Sequence, residues 1–230
     1  MSNNDSPIDF SMVLASGVHD MKNSVGMLLA SLESVIADTP PTNDVQARRF
    51  TTLHYEASRI NSELIQLLTI YRMQDNHLPV HIDEHYLIDV LEDQVARNHM
   101  LIETGALQLQ FNCEDDLRWY FDADLIGSVV HNVFVNSTRY TKTTIAVGAE
   151  LVDDLLCITI ADDGPGYPED MLRRPAGLID EGDVSKGETH LGLYFAERIA
   201  AFHKQNNRVG YIELANGGEL GGGVFKLFLP

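Results

Sequence analysis

The sequence has few of the residues that covalent or metal-based cross-links require. It contains only two cysteines among 230 residues, Cys113 and Cys157. Two are too few for a disulfide framework or a cysteine-based zinc site. The histidines form no metal-ligand grouping either, because the three that are spaced by four straddle Pro79, which breaks any shared helical face. We therefore expect neither disulfides nor a zinc site.

Basic residues are also scarce. The chain has 34 acidic and 16 basic residues, which gives a formal net charge of -18. Such a surface repels the phosphates of nucleic acids unless basic groups cluster, and the only basic clusters are the pairs Arg48-Arg49 and Arg173-Arg174. We do not expect DNA or RNA as a partner.

No stretch of the sequence approaches 18 uninterrupted apolar residues, and the first ten residues do not have the basic-then-apolar pattern of a signal peptide. These two absences predict no membrane span and a cytoplasmic location. If the protein responds to a stimulus, we expect a separate sensor or upstream protein to detect it.

The N-terminal third has the 3.5-residue apolar period of a coiled-coil seam. A first helix carries it at Leu14, Val18, Met21, Val25, Leu28, Leu32 and Val35, and a second at Phe50, Leu53, Ala57, Ile60, Leu64, Leu67 and Tyr71. Pro40-Pro41 ends the first helix, and Thr42, Asn43 or Asp44 can cap the second. One antiparallel hairpin buries little apolar surface, so we predict a homodimer in which two hairpins form a four-helix bundle.

After residue 76 the pattern changes to mixed helices and strands. The two-residue turn Asp153-Asp154 implies that the strands on either side of it pair antiparallel, which favours an α+β sandwich over a doubly wound sheet. We predict a helical hairpin over residues 1–76 and an α+β domain over 77–230. Within that domain we predict helices over 84–103, 122–139 and 190–204, and strands near 107–112, 117–121, 143–151, 154–161, 211–216 and 223–230.

The second part of the sequence contains three polar motifs. The segment DDGPGY follows an apolar strand and places Asp162 before Gly164 and Gly166, which suits close backbone approach to a ligand or simply a tight turn. On the helix before it, Asn132 and Asn136 share one face and are followed by Arg139 and Tyr140. Amides and a cation in line can hold hydrated magnesium and a triphosphate, although helical asparagines are often plain surface residues.

The third motif is GETHLG, over residues 187–192, just before an amphipathic helix whose free backbone N–H groups favour anions. The overlapping segment GDVSKGET approximates a phosphate-binding Walker loop. However, Glu188 replaces the lysine that such a loop requires, and no strand leads into it. We therefore do not interpret it as a P-loop.

The order of these motifs, followed by a terminal glycine-rich strand, resembles the N box and the two glycine boxes of GHKL-type ATPases. The resemblance is closest to the catalytic ATP-binding domain of bacterial sensor histidine kinases and spans about 80 to 230. The hairpin with HDMKN at 19–23 resembles the dimerisation and histidine phosphotransfer domain of the same enzymes. Nearly the whole chain is therefore covered, and the implied fold is a dimeric helical bundle followed by a GHKL-type α+β sandwich.

The resemblance also implies ligands and roles by position. It implies ATP and Mg²⁺ as cofactors, with Asn136 as the metal ligand. Asp162 would bind the adenine amine, while Gly164 and Gly166 let the loop pass under the nucleotide. The remaining implied nucleotide-binding residues are Asn132, Arg139, Tyr140, Thr189, Leu191 and Gly192. The stretch from about 167 to 189 is similar to the mobile ATP lid of the family.

Two features depart from the family pattern. Glu188 and His190 stand where the second glycine box usually has glycines, and no phenylalanine-containing motif lies between the two glycine loops. A negative charge and a restricted backbone near the polyphosphate would weaken ATP binding or alter the lid geometry.

His19 directly follows the seam residue Val18, so it flanks the bundle core and faces partly outward. Taken alone, a single helical histidine is usually structural or a surface residue. With an ATP site in the same chain, we predict that His19 is the nucleophile and that Asp20 holds its other ring nitrogen. The resemblance implies that Asn23 orients a water for hydrolysis of the phosphoryl group.

The leading hypothesis is therefore a histidine kinase that phosphorylates His19 from Mg-ATP and passes the phosphoryl group to an aspartate of a response regulator. The alternative is a histidine phosphotransferase or response-regulator phosphatase with a weakened ATP-binding domain, which the altered second glycine box favours. A serine kinase with the same ATP fold would leave the helical hairpin unexplained.

Overall fold

The computed structural model describes residues 10–74, 78–173 and 191–230, and it begins with two long helices. Helix α1 spans Phe10–Asp38 and helix α2 spans Asp44–Gln74. Of the three predicted capping residues, Asn43 starts α2, because its Oδ1 accepts the Gln46 N–H at 3.0 Å. Gln46 in turn accepts the Thr42 N–H at 3.0 Å, as in a capping box. The predicted helical hairpin is confirmed.

The segment predicted as one helix over 84–103 is instead a short strand and two helices. Strand β1 (Asp83–Tyr86) leads into α3 (Leu87–Arg97), and α4 (His99–Thr104) follows. The helix breaks at the buried Asn98, whose side chain donates to the Gln94 carbonyl at 2.7 Å and lies 3.0 Å from Nδ1 of His131. An asparagine side chain that competes for helical carbonyls favours such a break.

A five-stranded mixed sheet forms the centre of the second part. Its strands are β2 (Gln108–Cys113), β4 (Thr144–Val152), β5 (Leu155–Asp162), β8 (Tyr211–Gly217) and β9 (Gly222–Leu229). They lie in the order β2-β4-β5-β9-β8. Only the β2–β4 pair is parallel. Asp153 and Asp154 both have positive φ, at 51° and 59°, and join β4 to β5 as the predicted antiparallel hairpin.

Helices cover one face of this sheet. The core joins buried side chains of α3, α5 (Ala123–Tyr140) and α7 (Leu191–Phe202) to those of the central strands. The smaller elements are α6 (Glu169–Leu172), β3 (Arg118–Phe121), which pairs with β1, and the β6 (Lys204–Gln205) and β7 (Arg208–Val209) ribbon. The predicted α+β fold is therefore confirmed.

The predicted domain boundary near residue 76 lies outside the described residues, so it remains a prediction. The end of α2 already packs with the second part of the chain, because Met73 is buried in the same core cluster as Leu87 and Phe121. Helix α2 therefore lies against the sandwich along part of its length.

The start of α5 is anchored by one buried carboxylate, that of Asp122. Its Oδ1 accepts the Leu125 N–H at 3.0 Å, and its Oδ2 accepts the His81 N–H at 2.8 Å. The Asp122 N–H donates to Nε2 of His203 at 3.1 Å. Asp122 thus caps the helix that carries the N box and ties it to the chain entering the domain and to the end of α7.

We expect Asp122→Ala to destabilise the fold by about 2 kcal/mol, because it removes a helix cap and leaves a partly buried N–H group without its acceptor. Asp122→Asn retains one carbonyl oxygen for Leu125 and should cost less. Urea unfolding of the two variants would measure the difference. An alanine variant as stable as the wild type would contradict this role of Asp122.

Candidate functional site

The site begins where β5 ends, at the buried carboxylate of Asp162. Its Oδ1 accepts the N–H groups of Gly164 at 2.8 Å and Gly223 at 3.2 Å. Its Oδ2 accepts no hydrogen bond from any of the residues in 10–74, 78–173 and 191–230. The loop therefore holds one oxygen in place and leaves the other to accept a hydrogen bond from a ligand.

Glycines keep the backbone close around this carboxylate. A Cβ on Gly222 would overlap the Asp162 carbonyl oxygen, and a Cβ on Gly164 would lie 2.5 Å from the carbonyl oxygen of Tyr140. Gly166 has a φ of +82°, in the left-handed region that side chains disfavour. The close approach of Gly164 to Tyr140 joins the loop after β5 to the end of α5.

Asn216 and Tyr167 stabilise the far side of the same loop, and sequence reasoning missed both. Asn216 Oδ1 accepts the Tyr167 N–H at 2.6 Å, and Asn216 Nδ2 donates to the Tyr167 carbonyl at 2.8 Å. Burial, together with the nearby charge of Asp162, raises the pKa of the Tyr167 hydroxyl well above its usual range. The only available signal was an Asn-Gly-Gly turn at 216–218, which is common in hairpins.

Asp163 is a third residue that the sequence did not single out. Its carboxylate accepts the N–H groups of Lys142 at 2.8 Å and Thr143 at 3.0 Å, and the Thr143 hydroxyl at 2.6 Å. These bonds hold the segment after α5 against the end of β5. Burial alone would raise the pKa of Asp163, but the hydrogen bonds from Thr143, Thr144 and Lys142 outweigh it and lower the pKa below its usual range.

The N box lies on the last three turns of α5. Asn136 is exposed, whereas Asn132 is buried, and the Asn136 side-chain amide donates to Asn132 Oδ1 at 3.4 Å. A Cβ on Gly192 would lie 2.6 Å from Asn132 Nδ2. The structure thus brings the N box, the loop after β5 and the start of α7 together.

Two of the predicted N-box residues also contact helix α2. Gln66 donates from Nε2 to Asn132 Oδ1 at 2.6 Å, and the guanidinium carbon of Arg139 lies 5.9 Å from the ring centre of Tyr55. Arg139 also lies over the half-exposed ring of Tyr140, at 5.5 Å. No sequence pattern indicated either α2 residue, because both partners are distant along the chain.

His19 is exposed on α1, as are Asp20 and Asn23. None of these three side chains has a hydrogen-bond partner within the part of the chain that the structure describes. The predicted contact of Asp20 with the imidazole is therefore not formed in this arrangement. The structure brings neither Asp20 nor Asn23 into the nucleotide-side cluster.

His19 lines a groove of about 730 Å³ between the hairpin and the first turns of α5. Lys22, Arg72, Asp124 and Ser128 line the same groove. Ser128 precedes Asn136 by eight residues, or about 12 Å along a helix. The predicted nucleophile and the predicted metal ligand are thus near opposite ends of α5 in this arrangement.

Part of the predicted site lies outside the described residues. Thr189, together with the departures Glu188 and His190, falls in the segment 174–190. Leu191 and Gly192 are described and form the first residues of α7.

Two observations on metal-binding groups and on membrane-spanning helices apply to the described residues. Within 10–74, 78–173 and 191–230, no three side chains of the types His, Cys, Asp and Glu form a group that could hold a metal ion. None of the helices in those ranges is both long enough and apolar enough to cross a bilayer.

Residues 121–230 match the family model described as "Histidine kinase-, DNA gyrase B-, and HSP90-like ATPase". This segment is thus similar to the GHKL class of ATPases, the class that the motifs resemble. The match begins at the last residue of β3 and contains the N box, both glycine boxes and β9.

Curated relatives extend the similarity into the hairpin. Sensor histidine kinase CssS of Bacillus subtilis is 24% identical over 200 residues, which are 84% of this chain and 43% of that protein. Sensor protein SrrB of Staphylococcus aureus is 22% identical over 196 residues, 83% of this chain and 34% of that protein. The chain is thus homologous to sensor histidine kinases and spans less than half the length of these relatives.

Solved structures share the fold. Histidine kinase AdeS of Acinetobacter baumannii aligns with a TM-score of 0.58 at 19% identity, over 92% of this chain and 96% of that one. Full-length ShkA, in complex with AMPPNP, aligns with a TM-score of 0.62 at 18% identity, over 95% of this chain and 45% of that one. The catalytic domain of histidine kinase ThkA covers 65% of this chain with a TM-score of 0.52 at 22% identity.

We expect the carboxylate of Asp163 to stabilise the fold in a pH-dependent way. Because its folded pKa is lowered, its contribution is complete above the unfolded value of about 4 and is lost as pH falls through the folded value. The difference in unfolding free energy between the wild type and Asp163→Asn should therefore be constant from pH 7 to 5 and shrink below about pH 4. Urea unfolding across this range would measure it, and a difference that grows in acid would contradict it.

Proposed function

We propose that this chain is the core of a histidine kinase. It binds Mg-ATP in the domain over 121–230, phosphorylates His19 on the hairpin and donates the phosphoryl group to an aspartate of a response regulator. The observation that carries the proposal is an exposed histidine on a helical hairpin in the same chain as an ATPase domain whose three motifs converge. The names of the homologous sensor kinases agree with it.

The described geometry fits an adenine nucleotide. Asp162 Oδ2 would accept a hydrogen bond from the exocyclic amine of adenine, while Gly164, Gly166 and Gly222 let the backbone pack closely around this carboxylate and hold it in place. Tyr140 would border the base. The remaining predicted contacts place Asn132, Asn136, Arg139, Thr189, Leu191 and Gly192 along the phosphates.

Magnesium fits the donor set at Asn136. This ion is often held by one or two protein oxygens together with substrate phosphates, and an exposed amide next to the phosphate side of the pocket offers one such oxygen. When bound, the ion would neutralise charge on the phosphates during transfer. Asn132 orients the Asn136 amide by accepting its N–H.

The reaction at His19 is a displacement at phosphorus. A neutral imidazole nitrogen forms a bond to the γ-phosphorus while the bond to the β,γ-bridging oxygen breaks, and ADP leaves. Asp20 would hold the second ring nitrogen as N–H and stabilise the developing positive charge. Asn23, one turn further along α1, would orient water for later hydrolysis of the phosphoryl group. Because His19 and Asn136 are distant in the described arrangement, the hairpin and the ATPase domain must change their relative position, or a second subunit must supply one of the two.

A homodimer is part of this proposal. The hairpin exposes two heptad rows of large apolar side chains, Met21, Leu28 and Val35 on α1 and Leu53, Ile60 and Leu67 on α2. Six such side chains on one hairpin form an apolar face that a second copy would bury in a four-helix bundle. The proposed partners are thus a second copy, a response regulator and, given the greater length of the relatives, a sensor region or upstream protein. The proposed reaction, which uses ATP, belongs in the cytoplasm.

We expect Ile60→Glu to shift the protein from dimer to monomer, because it places a charge in the centre of the apolar face. Leu151→Glu, at an exposed apolar residue of β4 outside the hairpin, is the matched control and should remain dimeric. Sedimentation velocity at micromolar concentration would distinguish the two. A wild-type chain that is monomeric under these conditions would refute the dimer.

Incubation with γ-labelled ATP tests the kinase reaction itself. We expect label that is stable to alkali and lost in acid, reduced at least 100-fold in His19→Gln because the nucleophile is gone. His99→Gln, at an exposed histidine of α4 outside the motifs, is the control and should be labelled like the wild type. Label that persists in His19→Gln would exclude His19 as the acceptor. Absence of label from ATP, with label accepted from a phosphorylated regulator, would instead support the phosphotransferase alternative.

A further inference from the structure

Helix α2 lies antiparallel along α5 and contacts its N-box residues. Tyr55, early on α2, contacts Arg139 near the end of α5, while Gln66, later on α2, contacts Asn132 about two turns earlier on α5. These two contacts engage two of the residues proposed to face the phosphates. The face of α2 that makes them differs from the heptad row at 53, 60 and 67, so a dimer leaves the contacts possible.

The contact at Gln66 is the more deeply buried of the two. Gln66 is 2% exposed, and its Nε2 lies 2.6 Å from Asn132 Oδ1. Asn132 is also enclosed from its other side, where a Cβ on Gly192 would come within 2.6 Å of its Nδ2. The Asn132 amide is therefore engaged by α2 on one side and α7 on the other.

We infer that α2 is a built-in competitor of nucleotide binding, with Gln66 as its principal contact. The inference rests on the proposed ATP site. In the docked state Gln66 orients the Asn132 amide toward α2 and Tyr55 holds the Arg139 guanidinium. Mg-ATP draws the same two side chains toward its phosphates, so nucleotide binding and docking of α2 oppose each other. By linkage, each weakens the other to the same extent.

The docked interface is incompletely packed beside Gln66. Ser62 Oγ and Gln66 Oε1 are buried and, within the described ranges, have no hydrogen-bond partner. Both residues line a cavity of about 230 Å³ that lies between α2 and the helices α3, α5 and α7. The contact of Gln66 with Asn132 therefore lies at the edge of a cavity and not inside a close-packed core, so part of the α2 surface there makes no packing contact that would oppose its release.

The position of His19 agrees with this interpretation. In the docked state His19 lies beside the first turns of α5, in the groove that includes Asp124 and Ser128, and not beside Asn136. Release of α2 would free both the phosphate end of the ATP pocket and the hairpin that carries the phosphate acceptor. The contact therefore couples access to nucleotide with the position of the hairpin that carries His19.

We expect Gln66→Ala to bind the magnesium complex of AMPPNP about 5- to 20-fold more tightly than the wild type, within the usual range for coupled sites. Tyr55→Ala should act in the same direction and tests the interface independently if Gln66→Ala folds poorly. Gln110→Ala, at an exposed glutamine of β2, is the matched control and should not change the affinity. Isothermal titration calorimetry on the full chain measures all four proteins.

Amide hydrogen exchange without nucleotide supplies a second, independent readout. Both interface variants should raise exchange in the segments around 55–66 and 132–139, and the control should not. Asp162→Asn should lose nucleotide binding, because it places an N–H donor toward the adenine amine, yet it should keep the protection of the α2 interface.

The outcomes separate the two proposals. Wild-type affinity and wild-type exchange in both interface variants, with binding lost in Asp162→Asn, would overturn the competition and leave the ATP site intact. No nucleotide binding in any protein would overturn the proposed function, and the competition with it. Raised exchange in the variants would then show that the docking contact alone is real.

Discussion

The burial of one face of α5 against the five-stranded sheet is the constraint on which the rest of the site depends. Ile126, Val129, Val133 and Phe134 are at most 4% exposed, so the rotation of the helix about its axis is fixed by packing. With a period of 3.6 residues, that rotation leaves Asn136 facing outward and puts Asn132 at the edge of the core. The cap at Asp122 then fixes the residue at which α5 begins.

The end of β5 and the start of β9 complete the site, and there hydrogen bonds determine the geometry instead of apolar packing. There the geometry comes from backbone groups that converge on carboxylates: Asp162 binds the N–H groups of Gly164 and Gly223, and Asp163 binds those of Lys142 and Thr143. Of these two consecutive aspartates, Asp162 leaves one carboxylate oxygen for the proposed ligand, whereas Asp163 binds groups of the chain itself. The apolar core and these polar loops together bring motifs from three parts of the sequence to one place.

The hairpin, the α+β sandwich and the motif residues could be predicted from the sequence because each depends on local spacing. Each of these predictions uses a pattern that spans only a few residues: the apolar heptads, the Asp153-Asp154 turn and the spacing of the two asparagines on α5. Gln66, Asp163 and Asn216 could not be predicted, since each is a single polar residue whose partner is set by tertiary packing. The helix predicted over 84–103 was wrong for the same reason: β1 exists only because β3 pairs with it, and Asn98 breaks the helix while contacting His131 of α5.

The two ends of the proposed nucleotide pocket differ in how much they must rearrange. At the Asp162 end, the backbone already holds one carboxylate oxygen and leaves the other ready to accept a hydrogen bond, so a purine base could dock with little loss of conformational entropy. At the Asn132 end, the side chains are engaged by another helix before any phosphate arrives. The proposed pocket is thus pre-formed at its base end, whereas its phosphate end must first exchange a contact within the protein for one with the ligand.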